Sequence, residues 1–293
     1  LWQWSAALPE STLGTAGLIH PNVPQHEKWN PDFVPGHIAR LTDLVAKAAA
    51  DAPDVIVLPE VAVVYPLDAA GATLTQLAGA AGQSSLITGI NRRSDGNWYN
   101  ALVQIGPGAT LTEVYDKVHL VPFGEYIPFK LAFLRALAAT TSNGFTPGAA
   151  VRLIDTPIGR ALPLICYEGI FPGHLFRARE RADYLLLITN DGWFGAFSGP
   201  RQHLAQARFR AVEHGLSVLR VANRGTSAVI DPKGRVTFSL ARGETGEGVA
   251  AIPAGSRQEA HWHPPRSRRA DSTVVSPSSH VMTTSARART TST

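Results

Sequence analysis

The chain has 293 residues and a formal net charge of +4, from 27 lysines and arginines against 23 aspartates and glutamates. The whole excess lies after residue 255, where six arginines face two acidic residues, so residues 1–255 are formally neutral. Because nucleic-acid binding requires clustered cations, this neutrality argues against a nucleic-acid-binding body. A hydrophobic content of 44% also excludes intrinsic disorder for the body.

Cysteine usage and hydropathy narrow the class of protein further. Cys166 is the only cysteine, which excludes an intramolecular disulfide and a cysteine-rich zinc site. No apolar run approaches the ~18 residues that a membrane-spanning helix needs. Since the first residue is Leu1 rather than Met, we expect the sequence to be a processed or excised piece.

Short apolar runs alternate with helical patterns through the first 255 residues. Strands are predicted over 15–20, 54–58, 85–90, 98–105, 110–115, 151–154, 160–165, 184–189, 217–222, 226–230, 235–240 and 249–252. Helices are predicted over 36–50, 73–81, 129–139, 175–181 and 201–214. The alternation indicates a layered α/β domain with buried central strands.

The composition changes at about Ser256. Residues 256–293 are rich in Arg, Ser, Thr and Pro and show no hydrophobic periodicity. The sequence therefore predicts one domain over 1–255 and a basic, disordered tail over 256–293.

Three chemically capable residues follow predicted strands, the position at which α/β proteins collect functional groups. Glu60 follows a buried apolar run, Lys117 enters a loop rich in Pro, Gly and aromatic residues, and Cys166 stands at a strand–turn–helix junction. Such a junction presents a nucleophile, a nearby ammonium lowers a thiol pKa, and a carboxylate accepts the thiol proton. Taken singly, each has a structural alternative: a buried ion-pair partner, a surface lysine and a small buried side chain.

Other candidate motifs are weaker. No phosphate-binding loop, dinucleotide fingerprint or Gly-x-Ser-x-Gly elbow occurs, and the ten scattered histidines suggest no metal site. His119 and His203 could serve the site, although a structural role is the simpler interpretation for each.

Four blocks of sequence resemble the nitrilase, or carbon–nitrogen hydrolase, superfamily, and within it the bacterial apolipoprotein N-acyltransferases. They are NVPQHEKW at 22–29, YDK at 115–117 continuing to FGEYIP at 123–128, ICYE at 165–168, and NDGWFG at 190–195 continuing through QH at 202–203 to ARFRAVE at 207–213. The likeness covers roughly residues 15–250 in order.

The resemblance implies a four-layer αββα sandwich of the nitrilase type with a Glu-Lys-Cys triad. Glu60 would be the general base, and Cys166 the nucleophile that takes a fatty acyl group from a phospholipid. Lys117 would be the cation that stabilises the oxyanion, together with a backbone N–H near Tyr167. No metal or cofactor is implied. The residues implied to support the site or bind substrate are Glu125, Tyr167, Glu168, Trp29 and Trp193.

The same resemblance implies the acceptor and the location. The acyl group would pass from a Cys166 thioester to the N-terminal amine of a diacylglyceryl-cysteine on an apolipoprotein. The full-length protein would lie in the bacterial inner membrane, with this domain on the extracytoplasmic side, and would be a monomer. Two alternatives stay open, namely a soluble amidase of the same superfamily and an inactive remnant that lacks the family's membrane helices.

Overall fold

The computed structural model describes residues 11–127, 144–175, 177–178, 180–195 and 197–255. The first of its two six-stranded sheets has the order β12-β1-β2-β3-β4-β5. Its strands are β1 Thr12–His20, β2 Val55–Val57, β3 Ser85–Ser94, β4 Asn97–Gly106, β5 Thr110–Asp116 and β12 Gly246–Pro253. β1, β2 and β3 are parallel, whereas β12, β4 and β5 pair antiparallel with their neighbours.

The second sheet has the order β11-β10-β9-β8-β7-β6. Its strands are β6 Ile154–Thr156, β7 Gly159–Ile165, β8 Tyr184–Asn190, β9 Ser217–Asn223, β10 Ser227–Ile230 and β11 Val236–Leu240. β7, β8 and β9 are parallel. Every residue of β8 and β9 is buried, as expected for parallel strands covered on both faces.

Among the described residues, four α-helices complete the layers: α1 Val34–Ala49, α2 Gly71–Ala81, α3 Pro172–Leu175 and α4 Gly199–His214. Leu41, Leu44 and Val45 of α1 pack with α2 on the outer face of the first sheet. Ala207 and Ala211 of α4 pack on the outer face of the second sheet. A third apolar cluster joins the facing sides of the two sheets. The chain is therefore a four-layer αββα sandwich, which confirms the predicted fold class.

Two predicted elements differ from the structure. The strand predicted over 151–154 begins only at Ile154, because β6 has a partner only where the turn at 157–158 brings β7 beside it. The helix predicted over 175–181 is wrong: α3 begins at Pro172, whose fixed φ suits a first helical turn, and it ends at Leu175. The helix predicted over 129–139 and the tail predicted over 256–293 lie outside the described residues, so both stay predictions, as does the boundary at 255.

Gly89 of β3 allows the chain to turn sharply after β2. A Cβ placed there would lie under 3.0 Å from the backbone of Val61, Glu60 and Pro59. The Gly89 N–H also donates to the Pro59 carbonyl at 3.2 Å. Since backbone cannot move aside cheaply, only glycine permits this contact, and the contact fixes where Glu60 stands.

We expect Gly89→Ala to destabilise the fold by about 3 kcal/mol, at the upper end of overpacking costs, because the new methyl group meets backbone. Urea unfolding measures the change. The matched control is Gly79→Ala in α2, where a Cβ meets nothing within 4 Å and alanine favours the helix by ~0.5–1 kcal/mol. Equal stability of Gly89→Ala and the wild type would contradict the role given to Gly89.

Candidate active site

One cavity of about 670 Å³ is lined by all three residues that the sequence singled out after strands. Glu60 follows β2 and Lys117 follows β5 of the first sheet, whereas Cys166 follows β7 of the second. The two sheets thus contribute opposite sides of one site. Each of the three side chains is less than 10% exposed, so their chemistry takes place away from bulk water.

Lys117 lies between two carboxylates. Its ammonium is 2.9 Å from Glu125 Oε1 and 3.5 Å from Glu60 Oε1. Asn100 of β4 donates from the same amide nitrogen to both carboxylates, at 2.8 Å for Glu60 and 2.9 Å for Glu125. Burial opposes the lysine charge, but Glu60 and Glu125 outweigh it and raise the pKa of Lys117 above its ordinary value. Lys117 is therefore a fixed cation in this site.

Backbone N–H groups also donate hydrogen bonds to the carboxylates of Glu60 and Glu125. The Asn190 N–H donates to Glu60 Oε2 at 2.9 Å, and the Val121 N–H donates to Glu125 Oε2 at 2.8 Å. Asn190 ends β8, so Glu60 of the first sheet is bound directly to the second. With both oxygens occupied, each carboxylate has a fixed orientation.

Cys166 stands in a strained turn. Its φ of +52° lies in the left-handed region, which non-glycine residues rarely adopt. A 3₁₀ helix, Cys166–Ile170, begins at the cysteine directly after β7, so the predicted strand–turn–helix junction is confirmed. Burial, and then the Glu60 charge, raise the pKa of the thiol to about 12, although Lys117 and a hydrogen bond with Thr189 oppose the rise. The resting side chain is a thiol.

Glu168 joins the loop after Lys117 to the strand before Cys166. Its Oε1 accepts from the N–H groups of Val118 at 2.7 Å and His119 at 3.0 Å, and its Oε2 accepts from Ile165 at 2.8 Å. Burial raises its pKa to about 7, against these hydrogen bonds and Lys117. The side chain is fully buried, so Glu168 shapes the site through the backbone that it holds.

Aromatic side chains form much of the cavity wall. Trp29 and Trp193 line it and remain 50% and 62% exposed. Tyr167 lines it beside Cys166 and packs edge-on against Phe171, with ring centroids 4.8 Å apart. The cavity thus has an aromatic mouth above a charged floor.

The two histidines of the sequence analysis have different places. His119 stacks on Phe171, with ring centroids 4.0 Å apart, and does not line the cavity. His203 is buried in α4, and its Nε2 lies 3.3 Å from the carbonyl oxygen of Cys166. Of the two, only His203 contacts Cys166.

Sequence reasoning missed Asn100 and Lys28. Asn100 lies two residues before Leu102 in β4, on the face that meets the second sheet. A polar residue at a strand position that alternation assigns to the core was the signal in the sequence. Lys28 is 4% exposed, lines the cavity and donates to the Glu60 carbonyl at 3.2 Å. Burial lowers its pKa to about 8, although Glu60 opposes the change.

Within the described ranges, no three His, Cys, Asp or Glu side chains are grouped as a metal site would require. In that same part of the chain, no helix has both the length and the apolar character needed to cross a bilayer.

The fold and the cavity define a class of protein: an αββα sandwich in which a cysteine, a lysine and two glutamates share one pocket. Solved structures share the fold of this chain. A CN-hydrolase superfamily protein from Xanthomonas campestris has a TM-score of 0.62 and 19% identity over 82% of this chain and 90% of its own. An amidase from Nesterenkonia has a TM-score of 0.59 and 20% identity over 85% and 94%.

The carbon–nitrogen hydrolase family model matches residues 23–261, so the chain belongs to that family. Curated relatives include the apolipoprotein N-acyltransferases of Brucella melitensis, 37% identical over 85% of this chain and 49% of the relative, and of Allorhizobium ampelinum, 40% identical over 79% and 47%. The corresponding protein of Bradyrhizobium diazoefficiens is 46% identical over 53% and 30%. The chain spans about half the length of the first two relatives.

The lowered pKa of Lys28 makes stability depend on pH in a defined direction. Below pH 8 the ammonium is charged in the folded and unfolded states, and folding carries its full desolvation cost. Above pH 10.5 both states are neutral and the cost is gone. Relative to Lys28→Met, the wild type should therefore gain about 3 kcal/mol of unfolding free energy as pH rises from 8 to 10.5.

Urea unfolding of both proteins across this range measures the difference, in which the titration of other groups cancels. Lys47→Met, at a half-exposed position on α1, serves as the control, and the wild type should show no comparable gain relative to it. A flat difference between the wild type and Lys28→Met would show that the ammonium is not desolvated.

Proposed function

We propose that this chain is the catalytic domain of an apolipoprotein N-acyltransferase, with residues 1–255 as the domain. It moves a fatty acyl group from a phospholipid to Cys166, and then to the N-terminal amine of a diacylglyceryl-cysteine. The observation that carries the proposal is the buried network in which Asn100 and Lys117 orient Glu60 and Glu125 within the cavity of Cys166. The identities of 37% and 40% to curated N-acyltransferases support this choice of reaction.

In the first half-reaction, Glu60 removes the proton from the Cys166 thiol as the sulfur attacks the ester carbonyl carbon of the phospholipid. The C=O becomes a tetrahedral oxyanion, which the Lys117 ammonium stabilises. When the oxyanion collapses, the C–O bond of the ester breaks. The leaving alkoxide takes the proton from Glu60, which releases a lysophospholipid and leaves an acyl thioester on Cys166.

The protonation of the site explains why a base must take part. With a thiol pKa of about 12, only roughly one site in 10⁵ would hold a thiolate at pH 7. Proton transfer to Glu60 must therefore accompany sulfur attack. Lys117 raises the fraction of thiolate and meets the new oxyanion, so one fixed cation serves both stages.

In the second half-reaction the acceptor amine attacks the thioester carbon. Glu60 takes a proton from the nitrogen, and the C–S bond breaks as the oxyanion collapses. The cysteine sulfur receives the proton from Glu60, which restores the thiol and leaves an amide on the acceptor. A thioester suits this step because it is a reactive acyl donor towards amines.

The cavity mouth fits a lipid donor. Trp29 and Trp193 remain half-exposed or more at its edge, and tryptophan side chains favour the interface between lipid and water. We propose that the full-length protein is a bacterial membrane enzyme, with this domain on the extracytoplasmic side where acceptor lipoproteins lie. The relatives that support this location are all bacterial.

Intact-mass spectrometry tests the function directly. We expect the chain, incubated with detergent-dispersed phosphatidylethanolamine and phosphatidylglycerol, to gain one acyl mass at Cys166 that neutral hydroxylamine removes. Cys166→Ala should gain none. Equal acylation of the variant would refute the nucleophile assignment. Ammonia release from simple amides, with no acyl mass from lipid, would instead show an amidase, and neither product would indicate an inactive remnant.

Lys117→Met tests the oxyanion role. Removing one such donor lowers rates by about 10²–10³-fold in comparable sites, and we expect a loss of that size in the rate of thioester formation. Because the variant also leaves two buried carboxylates without their cation, its folding is checked by circular dichroism. Lys47→Met, at a half-exposed position on α1, is the control. A folded Lys117→Met with an unchanged rate would remove Lys117 from the mechanism.

A further inference from the structure

A buried histidine, His203, contacts the backbone of Cys166. The His203 ring is 3% exposed, and its Nε2 lies 3.3 Å from the carbonyl oxygen of Cys166. Its Nδ1 lies 2.9 Å from Asp191 Oδ1. Both ring nitrogens therefore face oxygen acceptors.

Asp191 is itself fixed by buried partners. Thr189 donates to its Oδ1 at 3.0 Å, and Arg220, fully buried in β9, donates to its Oδ2 at 2.5 Å. Burial opposes ionisation of Asp191, but Arg220 and His203 outweigh it and lower the pKa of the carboxyl. A side chain at Gly225 would collide with this carboxylate. The ring of His203 is thus held by a rigid chain of side chains that runs into the second sheet.

The contact of His203 with the Cys166 carbonyl oxygen determines the direction of the Tyr167 N–H. In a planar trans peptide the C=O and the N–H point in opposite directions. His203 holds the Cys166 carbonyl on the side of α4, so the Tyr167 N–H is directed away from α4. Tyr167 is the second residue of the 3₁₀ helix, where an N–H has no acceptor within the helix, and its residue lines the cavity.

We propose that His203 is a positioning residue that orients the Cys166–Tyr167 peptide, so that the Tyr167 N–H meets the oxyanion opposite Lys117. The inference rests on the proposed nucleophilic role of Cys166, but not on a phospholipid donor. It also accounts for the left-handed φ of Cys166, since such a conformation costs ~1–3 kcal/mol and persists only where surrounding contacts hold it.

Two substitutions distinguish the two hydrogen bonds of the His203 ring. The side-chain amide of Gln reaches the position of His Nε2, and that of Asn reaches the position of Nδ1. His203→Gln therefore keeps the donor to Cys166 and gives up the one to Asp191, whereas His203→Asn does the reverse. A merely structural histidine gives no reason for Gln to rescue function better than Asn.

The assay compares two reactions of the same sulfur in the full chain. The burst of p-nitrophenol from p-nitrophenyl butyrate reports acylation of Cys166, which passes through an oxyanion. Alkylation by iodoacetamide reports thiol reactivity and forms no oxyanion. We expect His203→Asn to slow the burst about 10- to 100-fold and to change alkylation less than twofold. His203→Gln should recover most of the burst rate.

Other outcomes overturn the proposal. An undiminished burst in His203→Asn would remove His203 from the reaction, and parallel losses of burst and alkylation would show that it acts on the thiol. Equal losses in the Gln and Asn variants would show that the bond to Cys166 is not what matters. A wild type without any burst would refute the nucleophilic role itself, and the inference with it.

Gln206→Asn, one turn further along α4, is the matched control and should leave both reactions unchanged. Thermal unfolding is followed for each variant. If His203→Asn does not fold, Asp191→Asn replaces it, because it weakens the hold on the ring while leaving His203 in place. The same selective loss of the burst is then expected, in smaller degree, and its absence would overturn the proposal.

Discussion

The pairing of buried charges around Lys117 is the constraint on which the site depends. An ammonium and two carboxylates taken out of water are each costly, and they remain ionised only where partners replace the solvent. Lys117 satisfies Glu60 and Glu125 together, and Asn100 donates to both. Since every member depends on the others, the group is fixed before any substrate enters. The neighbouring thiol keeps its proton because it is buried and because the Glu60 charge lies close to it.

Hydrogen bonds accepted by buried glutamates also link the two sheets. Glu60 follows β2 of the first sheet but accepts from the Asn190 N–H at the end of β8, and Glu168 beside Cys166 accepts from the loop that follows Lys117. Each glutamate thus accepts hydrogen bonds from backbone on the opposite side of the sandwich. The relative position of Cys166 and Lys117 is consequently set by side-chain bonds across the interface as well as by apolar packing between the sheets.

The sequence predicted the layers and the three residues after strands, because hydrophobic periodicity and strand ends are local signals. Glu60, Lys117 and Cys166 do line one cavity. Asn100 lies in mid-strand, and nothing local tells that its amide faces two carboxylates 25 and 40 residues away. His203 was named but judged structural for the same reason: its contact with Cys166 spans 37 residues and two elements. Long-range partners of polar side chains are what local patterns do not contain.

The pairing of β1 with β12 has a consequence for biosynthesis. β12 ends at Pro253, yet it covers the edge of a strand that begins at Thr12. During translation, the edge of β1 that pairs with β12 therefore stays unpaired while more than two hundred further residues are made. An exposed strand edge is a template for association with other chains. A nascent chain of this protein is thus most vulnerable to aggregation late in synthesis, and its first sheet is complete only when β12 leaves the ribosome.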